Sequence, residues 1–163
     1  MSSDRIMAEE PIEKKITRIL IHRKMTVTAA ESCTGGLVAG TLVNADGISE
    51  VFKESYVTYS NEAKHKLLGV KKETLEKYGA VSRQTAAEMA EGAVRAAGAD
   101  ASVVTTGVAG PGGGTEEKPV GLVYIGCCVK GCTIVKRCFY GGDRQGVRHR
   151  AVKKAMENLY CQL

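Results

Sequence analysis

The stretch TAAESCTGGLVAGTLVNADG, residues 28–47, places a strand pattern, a glycine turn and a helix pattern in immediate succession. Residues 27–31 are small or β-branched and long enough for a buried strand. Apolar residues then recur with helical spacing from residue 37 to residue 42, and residues 44–47 predict the helix end. Ser32 and Cys33 therefore stand side by side, as two candidate nucleophiles, where a strand should end and a helix should begin.

The remainder of the sequence continues the alternation of helices and strands. Amphipathic or capped helical segments are predicted at 11–24, 61–68, 72–78, 82–98 and from Asp143 onward, and strands at 52–59, 101–107, 122–129 and 133–140. The last two strands form a hairpin that turns at Lys130-Gly131. We therefore predict a single three-layer αβα domain with a mixed β-sheet over residues 11–163, preceded by an N-terminal polar tail, residues 1–10.

Length and composition are those of one soluble globular domain. The chain has 163 residues, of which 44% are hydrophobic and 25% are charged. No apolar run approaches the roughly 18 residues that a membrane span needs. The first residues, MSSDRIMAEEPIEKK, lack the hydrophobic core of a signal peptide, so the predicted location is the cytoplasm without membrane association.

The net charge of +5 is concentrated near the C-terminus. There, seven lysines and arginines between residues 136 and 154 outnumber Asp143 and Glu157. Such an excess favours an anionic partner, either a phosphate-bearing small molecule or nucleic acid. Because aromatic residues are only 5% and Trp is absent, platforms for base stacking are scarce, and nucleic acid is an unlikely primary partner.

The six cysteines and three histidines predict neither a disulfide framework nor a metal site. Four cysteines, at 127, 128, 132 and 138, fall in the predicted hairpin without paired CxxC spacing, so we expect small, buried, reduced side chains. The zinc-deaminase pattern, HxE followed by PCxxC, is also missing. No metal and no cofactor is predicted.

Three stretches should meet at the carboxyl ends of the strands, where α/β proteins bind ligands. They are residues 32–36, 59–64 and 106–115. Ser32 alone is typical of a helix N-cap, and the glycine-rich loop alone is typical of a surface turn that Pro111 makes rigid. The chain has neither a Walker motif nor GxSxG, so a nucleophilic Ser32 would need another base. A lysine with a pKa lowered by burial or by nearby cations could serve.

Five segments occur in an order that resembles a known family: AESCTGG (30–36), YSNEAKHKLLGV (59–70), GAVS (79–82), TGVAGPGGGTEEKPVG (106–121) and GDRQGVRHRA (142–151). They are similar to the C-terminal domain of the CinA family, the nicotinamide-nucleotide amidase (PncC) family, from about residue 11 to the end. The resemblance implies a metal-free serine amidase that hydrolyses nicotinamide mononucleotide to nicotinic acid mononucleotide and ammonia. Full-length CinA proteins carry an additional N-terminal domain, and we expect this chain to be the stand-alone form and a homodimer or larger.

Site residues follow from the resemblance position by position. It implies that Ser32 is the nucleophile, that Lys64 is the general base, and that the Tyr59 hydroxyl links or orients them. The N–H groups of Thr34 and Gly35 are candidates for stabilising the oxyanion, and Cys33 is interpreted as a packing residue. The glycine loop and the arginine-rich segment would bind the ribose phosphate through Thr106, Gly107, Ala109, Gly110, Gly112, Gly113, Arg144 and Arg148.

Two alternatives remain open at this stage. A non-catalytic pyridine-nucleotide-binding or regulatory domain could use the same phosphate site, although it would not need the lysine. A weak nucleic-acid binder would show steep salt dependence and no turnover. One departure from the family pattern, Lys53-Glu54-Ser55 where glycines are frequent, is expected to alter the pocket edge.

Overall fold

The structure, a computed structural model, describes residues 9–163. The predicted polar tail, residues 1–10, therefore lies outside the described residues except for its last two positions. Glu9 pairs with Lys15 at 2.9 Å and Glu10 with Arg18 at 2.7 Å, so both carboxylates contact the first helix.

The described part of the chain contains six α-helices and five strands. The helices are α1 (Ile12–Arg23), α2 (Leu37–Leu42), α3 (Asn61–Leu68), α4 (Lys72–Tyr78), α5 (Arg83–Ala97) and α6 (Arg144–Gln162). The strands are β1 (Val27–Glu31), β2 (Tyr56–Val57), β3 (Ala101–Gly107), β4 (Leu122–Val129) and β5 (Cys132–Phe139), and a 3-10 turn covers Ile48–Glu50.

The strand predicted over residues 52–59 is much shorter in the structure. Only Tyr56–Val57 pairs as a strand, and Phe52 forms an isolated bridge with Val27. Between them, the carbonyl of Glu54 accepts a hydrogen bond from the hydroxyl of Thr28 at 2.9 Å. Three residues, 53–55, lie opposite two residues of β1, 28–29, so the regular pairing is interrupted there.

The five strands form one mixed sheet in the order β2-β1-β3-β4-β5. Strand β1 is parallel to both β2 and β3, whereas β3–β4 and β4–β5 are antiparallel. Glu31, the last residue of β1, is paired with Val57 on one side and Thr105 on the other. The carboxyl ends of three parallel strands therefore meet at one edge, which is where α/β proteins bind ligands.

Helices cover both faces of the sheet. On one face, α1, α2 and α6 bury a large core that includes Ile16, Val38 and Leu159. On the other, α3, α4 and α5 bury a smaller core that includes Leu68 and Met89. The predicted three-layer αβα domain with a mixed sheet is confirmed.

Local signals set the ends of α5 and α6. The hydroxyl of Ser82 accepts from the N–H of Thr85 at 3.1 Å, and the carboxylate of Asp143 accepts from Gly146 at 2.7 Å, so both predicted N-caps are present. A Cβ at Gly92 on α5 would collide with the Leu68 carbonyl. The missing side chain therefore allows α5 to pack closely against α3.

The hairpin cysteines differ from the prediction in burial. Cys127 and Cys128 on β4 are buried as expected, but Cys132 is exposed and Cys138 is half-buried. Strand β5 lies at the edge of the sheet and alternates between exposed and half-buried positions, so its side chains are not enclosed. All six cysteines are free thiols.

Between residues 9 and 163, no helix is both long enough and apolar enough to cross a bilayer.

Candidate active site

A cavity of about 190 Å³ opens at the carboxyl edge of the three parallel strands. Its lining brings together all three stretches that the sequence placed at this edge. The lining residues are Ser32, Cys33, Tyr59, Lys64, Ala80, Val81, Thr106, Gly107, Ala109 and Arg144. Ala80 and Val81, between α4 and α5, were not predicted as site residues, and the available signal was their position in the family segment GAVS.

Lys64 lies on α3 with its side chain fully buried. The helix begins after Ser60, whose hydroxyl accepts from the N–H of Ala63, and this start turns Lys64 toward the sheet. The Nζ atom is 3.1 Å from Oγ of Ser32. It also donates to the Thr58 carbonyl at 2.7 Å and contacts the Tyr59 carbonyl at 3.4 Å. The predicted nucleophile and base are therefore in hydrogen-bond contact.

Burial lowers the pKa of Lys64 from 10.5 to about 8, because the charged form loses its hydration. The nearby Cys33 thiol acts weakly in the opposite direction. Within residues 9–163, no carboxylate forms an ion pair with this amine. A neutral amine has two N–H groups for the carbonyls of Thr58 and Tyr59 and one lone pair for the Ser32 hydroxyl. The arrangement can accept the hydroxyl proton.

Ser32 belongs to a tight turn and does not cap α2. Its N–H donates to the Thr105 carbonyl at 3.0 Å, and its own carbonyl accepts from the N–H of Gly35 at 3.1 Å. Gly35 and Gly36 have φ angles of 58° and 106°, which favour glycine. Four residues, 33–36, separate Ser32 from the helix, which begins only at Leu37. The N-cap interpretation of Ser32 is wrong.

Glu31 is a residue of the site that sequence reasoning missed. Its carboxylate is buried and accepts from the N–H groups of Gly36 (3.0 Å), Val38 (3.0 Å) and Ala39 (2.8 Å), and from the hydroxyl of Thr34 at 2.5 Å. It thereby takes the donors at the start of α2. An acidic residue at the end of a buried strand, directly before a helical pattern, was the available signal.

The expected oxyanion donors are only partly present. The N–H of Gly35 is already bonded to the Ser32 carbonyl, so its assignment is corrected. The N–H of Thr34 donates to no acceptor in the described part of the chain. Thr34 is fully buried and is not among the residues that line the cavity, so its role as an oxyanion donor stays a prediction.

Cys33 is almost fully buried and packs into the larger core. Burial raises the pKa of its thiol to about 11, so the thiol is protonated near neutral pH. A protonated, enclosed thiol is a poor nucleophile. The interpretation of Cys33 as a packing residue agrees with this environment.

Tyr59 and Arg144 lie at the mouth of the cavity. Tyr59 is 62% exposed, and its hydroxyl accepts from Nη2 of Arg144 at 3.1 Å. Nη1 of Arg144 donates to the Gly110 carbonyl at 2.7 Å. The Tyr59 hydroxyl therefore contacts Arg144, and does not link Ser32 to Lys64 as expected. Only its carbonyl approaches the lysine.

Arg148, expected at the phosphate, contacts the turn that follows Ser32 instead. Its Nε donates to the Cys33 carbonyl and its Nη2 to the Thr34 carbonyl, each at 3.0 Å. It is half-buried and is not among the residues that line the cavity in the described structure. Arg144 lies one turn earlier on the same face of α6 but contacts Tyr59 and Gly110, so the two arginines serve different parts of the site.

The glycine loop contributes its first residues to the cavity. Thr106, Gly107 and Ala109 line it, and a Cβ at Gly107 would lie 2.7 Å from the Leu122 carbonyl. Gly110 contributes its carbonyl to Arg144. The last two glycines expected to bind substrate, at positions 112 and 113, are exposed and outside the lining. The loop thus shapes the cavity wall at its start and extends into solvent at its tip.

Potential metal ligands are scattered through the structure. No cluster of three or more His, Cys, Asp or Glu side chains with metal-binding geometry occurs among residues 9–163.

A family model for the CinA C-terminal domain matches residues 9–163. The chain belongs to the CinA C-terminal domain family. Curated relatives from Clostridium novyi and Clostridioides difficile, provisionally named competence-damage inducible protein, are 57% and 53% identical over 155 residues, or 95% of this chain. Because the matched region is 37% of each relative's length, the chain spans less than two fifths of these proteins.

Solved structures of the CinA superfamily have the same fold. A competence-damaged protein (CinA) superfamily protein from Escherichia coli is 37% identical with a TM-score of 0.90, covering 93% of this chain and 88% of that one. A competence/damage inducible protein from Agrobacterium tumefaciens is 44% identical with a TM-score of 0.85, covering 93% and 95%. The fold and family therefore agree with the sequence-based assignment.

Proposed function

We propose that this CinA-family domain is an amidohydrolase that converts nicotinamide mononucleotide to nicotinic acid mononucleotide and ammonia by a Ser-Lys mechanism. The observation that carries the proposal is a fully buried lysine amine without a carboxylate partner, 3.1 Å from a serine hydroxyl. A lysine that only binds a nucleotide need not be buried or in contact with a serine. A lowered pKa and a direct contact with Ser32 are what a general base requires.

In the proposed reaction, Oγ of Ser32 attacks the carboxamide carbon while neutral Lys64 takes the hydroxyl proton. The tetrahedral oxyanion collapses, the C–N bond breaks, and Lys64 returns the proton to the leaving nitrogen, so ammonia departs. The nicotinoyl ester on Ser32 is then attacked by water, with Lys64 again accepting a proton. Ser32 leaves the second tetrahedral intermediate as the alcohol, and the carboxylate product is released.

The dimensions of the cavity support a small reacting group. A volume of about 190 Å³ is below the roughly 300–1,000 Å³ usual for drug-sized ligands, so it suits a pyridine carboxamide better than a whole nucleotide. The ribose phosphate would then extend past Tyr59 and Arg144 at the mouth. An arginine there can bind a phosphate, and that remote binding energy can orient the carboxamide.

The test is ammonia release in metal-free buffer from a panel of nicotinamide, its riboside, its mononucleotide and its dinucleotide. We expect turnover to be fastest with the mononucleotide and to be abolished by Ser32→Ala. Binding of the mononucleotide without any Ser32-dependent ammonia release would instead favour the non-catalytic pyridine-nucleotide-binding or regulatory domain. Salt-dependent nucleic-acid binding without turnover would refute both interpretations.

A further inference from the structure

Arg148 was expected to bind the phosphate, but its contacts in the structure are different. Its Nε and Nη2 donate at 3.0 Å to two successive backbone carbonyls, those of Cys33 and Thr34. Both carbonyls belong to the turn that immediately follows the proposed nucleophile. A planar guanidinium can bridge two acceptors at once, whereas an ammonium is a point donor. The contact therefore fixes two consecutive peptide groups.

The orientation of one of those peptide groups matters for the chemistry. The Cys33–Thr34 bond is trans, since the single cis bond of the described chain is Gly110-Pro111. In a trans peptide the C=O and the N–H point in opposite directions. With the Cys33 carbonyl directed at Arg148, the N–H of Thr34 is directed away from the arginine. Like the N–H of Cys33, it has no acceptor in the described part of the chain.

The turn has little intrinsic preference for this orientation. Gly35 and Gly36 follow it with positive φ, and glycine permits several alternative backbone conformations. From the opposite side, Glu31 binds the Thr34 hydroxyl and the first N–H groups of α2. Glu31 therefore anchors donors and Arg148 anchors acceptors. A flip of the Cys33–Thr34 peptide would direct a carbonyl oxygen to where the N–H now points, and that oxygen would repel a developing oxyanion.

We infer that Arg148 is a positioning residue that holds the Cys33–Thr34 peptide so that the Thr34 N–H stabilises the oxyanion. This inference rests on the proposed amidase function and replaces the expectation that Arg148 binds phosphate. The guanidinium also withdraws electron density from the carbonyl that it binds, which makes the N–H of the same peptide a stronger donor. Such a donor acts mainly in the transition state, so its loss lowers kcat more than it changes KM.

The experiment compares Arg148→Ala and Arg148→Lys with the wild-type chain. Arg150→Ala is the matched control, because Arg150 also lies on α6 and also donates to a backbone carbonyl, that of Gly141, away from the cavity. Removing an oxyanion donor outright costs roughly 10²–10³-fold in kcat, so loss of the residue that orients it should cost roughly 10–100-fold. KM for the mononucleotide should change by less than about threefold. Arg148→Lys should recover part of kcat, and Arg150→Ala should behave like wild type.

A pH profile separates positioning from general loosening of the site. Because Arg148 does not contact Lys64, the variants should keep the wild-type midpoint of about 8 while the plateau falls. A variant whose midpoint moves toward the ordinary lysine value of about 10.4 has let water reach Lys64, and that result would overturn the inference. A rise in KM for the mononucleotide with unchanged kcat, and no rise for the riboside, would also overturn it in favour of phosphate binding.

Failure of the proposed function is distinguishable from failure of this inference. If the wild-type chain turns over but Arg148→Ala does so equally well, the inference fails and the amidase assignment stands. If the wild-type chain releases no ammonia, the amidase assignment fails. Acylation of Ser32 by p-nitrophenyl acetate, which releases p-nitrophenolate and is followed by mass spectrometry, then decides the inference. A roughly tenfold or greater slowing in Arg148→Ala supports it, whereas equal rates or no acylation of the wild-type chain refute it.

Discussion

Replacing Lys64 by Met should alter how the stability of the protein depends on pH, independently of any substrate. The folded state holds the lysine at a pKa of about 8, against 10.5 for the unperturbed group. The pKa is lowered on folding, so between these two values the unfolded chain binds more protons than the folded one. Stability therefore rises with pH across that window. Below pH 8 both states are protonated and the full cost of burying the charge is present.

The magnitude follows from the two pKa values. The complete shift corresponds to a cost on the order of 3 kcal/mol at about pH 7, since one pKa unit equals about 1.36 kcal/mol. Raising the pH to about 9.5 should recover on the order of 2 kcal/mol of it. Lys64→Met has no such group. The difference in unfolding free energy between wild type and Lys64→Met should therefore move by about 2 kcal/mol in favour of wild type as pH rises.

Urea unfolding at both pH values measures this difference, and Lys66→Met is the matched control. Lys66 lies on the same helix but is exposed, so its variant should track wild type at both pH values. The same proteins allow a catalytic test. Turnover by wild type should rise through a midpoint of about 8 and reach a plateau, whereas Lys64→Met should lose on the order of 10²-fold or more.

Two results would refute this reasoning. Parallel stability curves for wild type and Lys64→Met would mean that the amine keeps an ordinary pKa. Near-normal turnover by Lys64→Met, with an inactive Ser32→Ala variant, would mean that another group is the base. Substrate binding by Lys64→Met should be largely retained, which separates loss of chemistry from loss of the site.

Three further predictions follow from the other contacts of the site. Arg144→Ala should raise KM for the mononucleotide roughly tenfold or more and leave KM for the riboside nearly unchanged, because a charge-assisted hydrogen bond contributes about 1.5–3 kcal/mol. Equal increases for both substrates in steady-state kinetics would show that Arg144 does not bind the phosphate. Glu31→Gln should lower the free energy of unfolding by about 1–3 kcal/mol, because an amide nitrogen cannot accept hydrogen bonds from the N–H groups at the start of α2. An unchanged midpoint in urea titrations would contradict the anchoring role of Glu31. Chelation with EDTA should leave ammonia release unchanged, because a Ser-Lys mechanism needs no Lewis acid. A loss of activity that a divalent ion restores would refute that mechanism.

Local sequence patterns were sufficient to predict the architecture, because helix caps and amphipathic spacing depend on residues that are close together in the chain. Ser82 and Asp143 cap helices through hydrogen bonds three residues away, and the apolar spacing of α5 and α6 needs only the helical period. The order of strands and helices then limits the fold to a three-layer arrangement. The motifs likewise predicted that Ser32 and Lys64 lie at the same edge of the sheet.

Contacts between distant segments were decided only by the tertiary structure. Ser32 and Lys64 are 32 positions apart, and their contact depends on how α3 packs on the sheet. Tyr59 and Arg148 were expected to have roles that the geometry does not support, because the partner of each side chain lies more than 80 positions away in the chain. The lowered pKa of Lys64 has the same origin. The sequence determines which chemical groups are available. Their protonation and their hydrogen-bond partners depend on burial and on contacts between distant segments, and only the packed chain creates these.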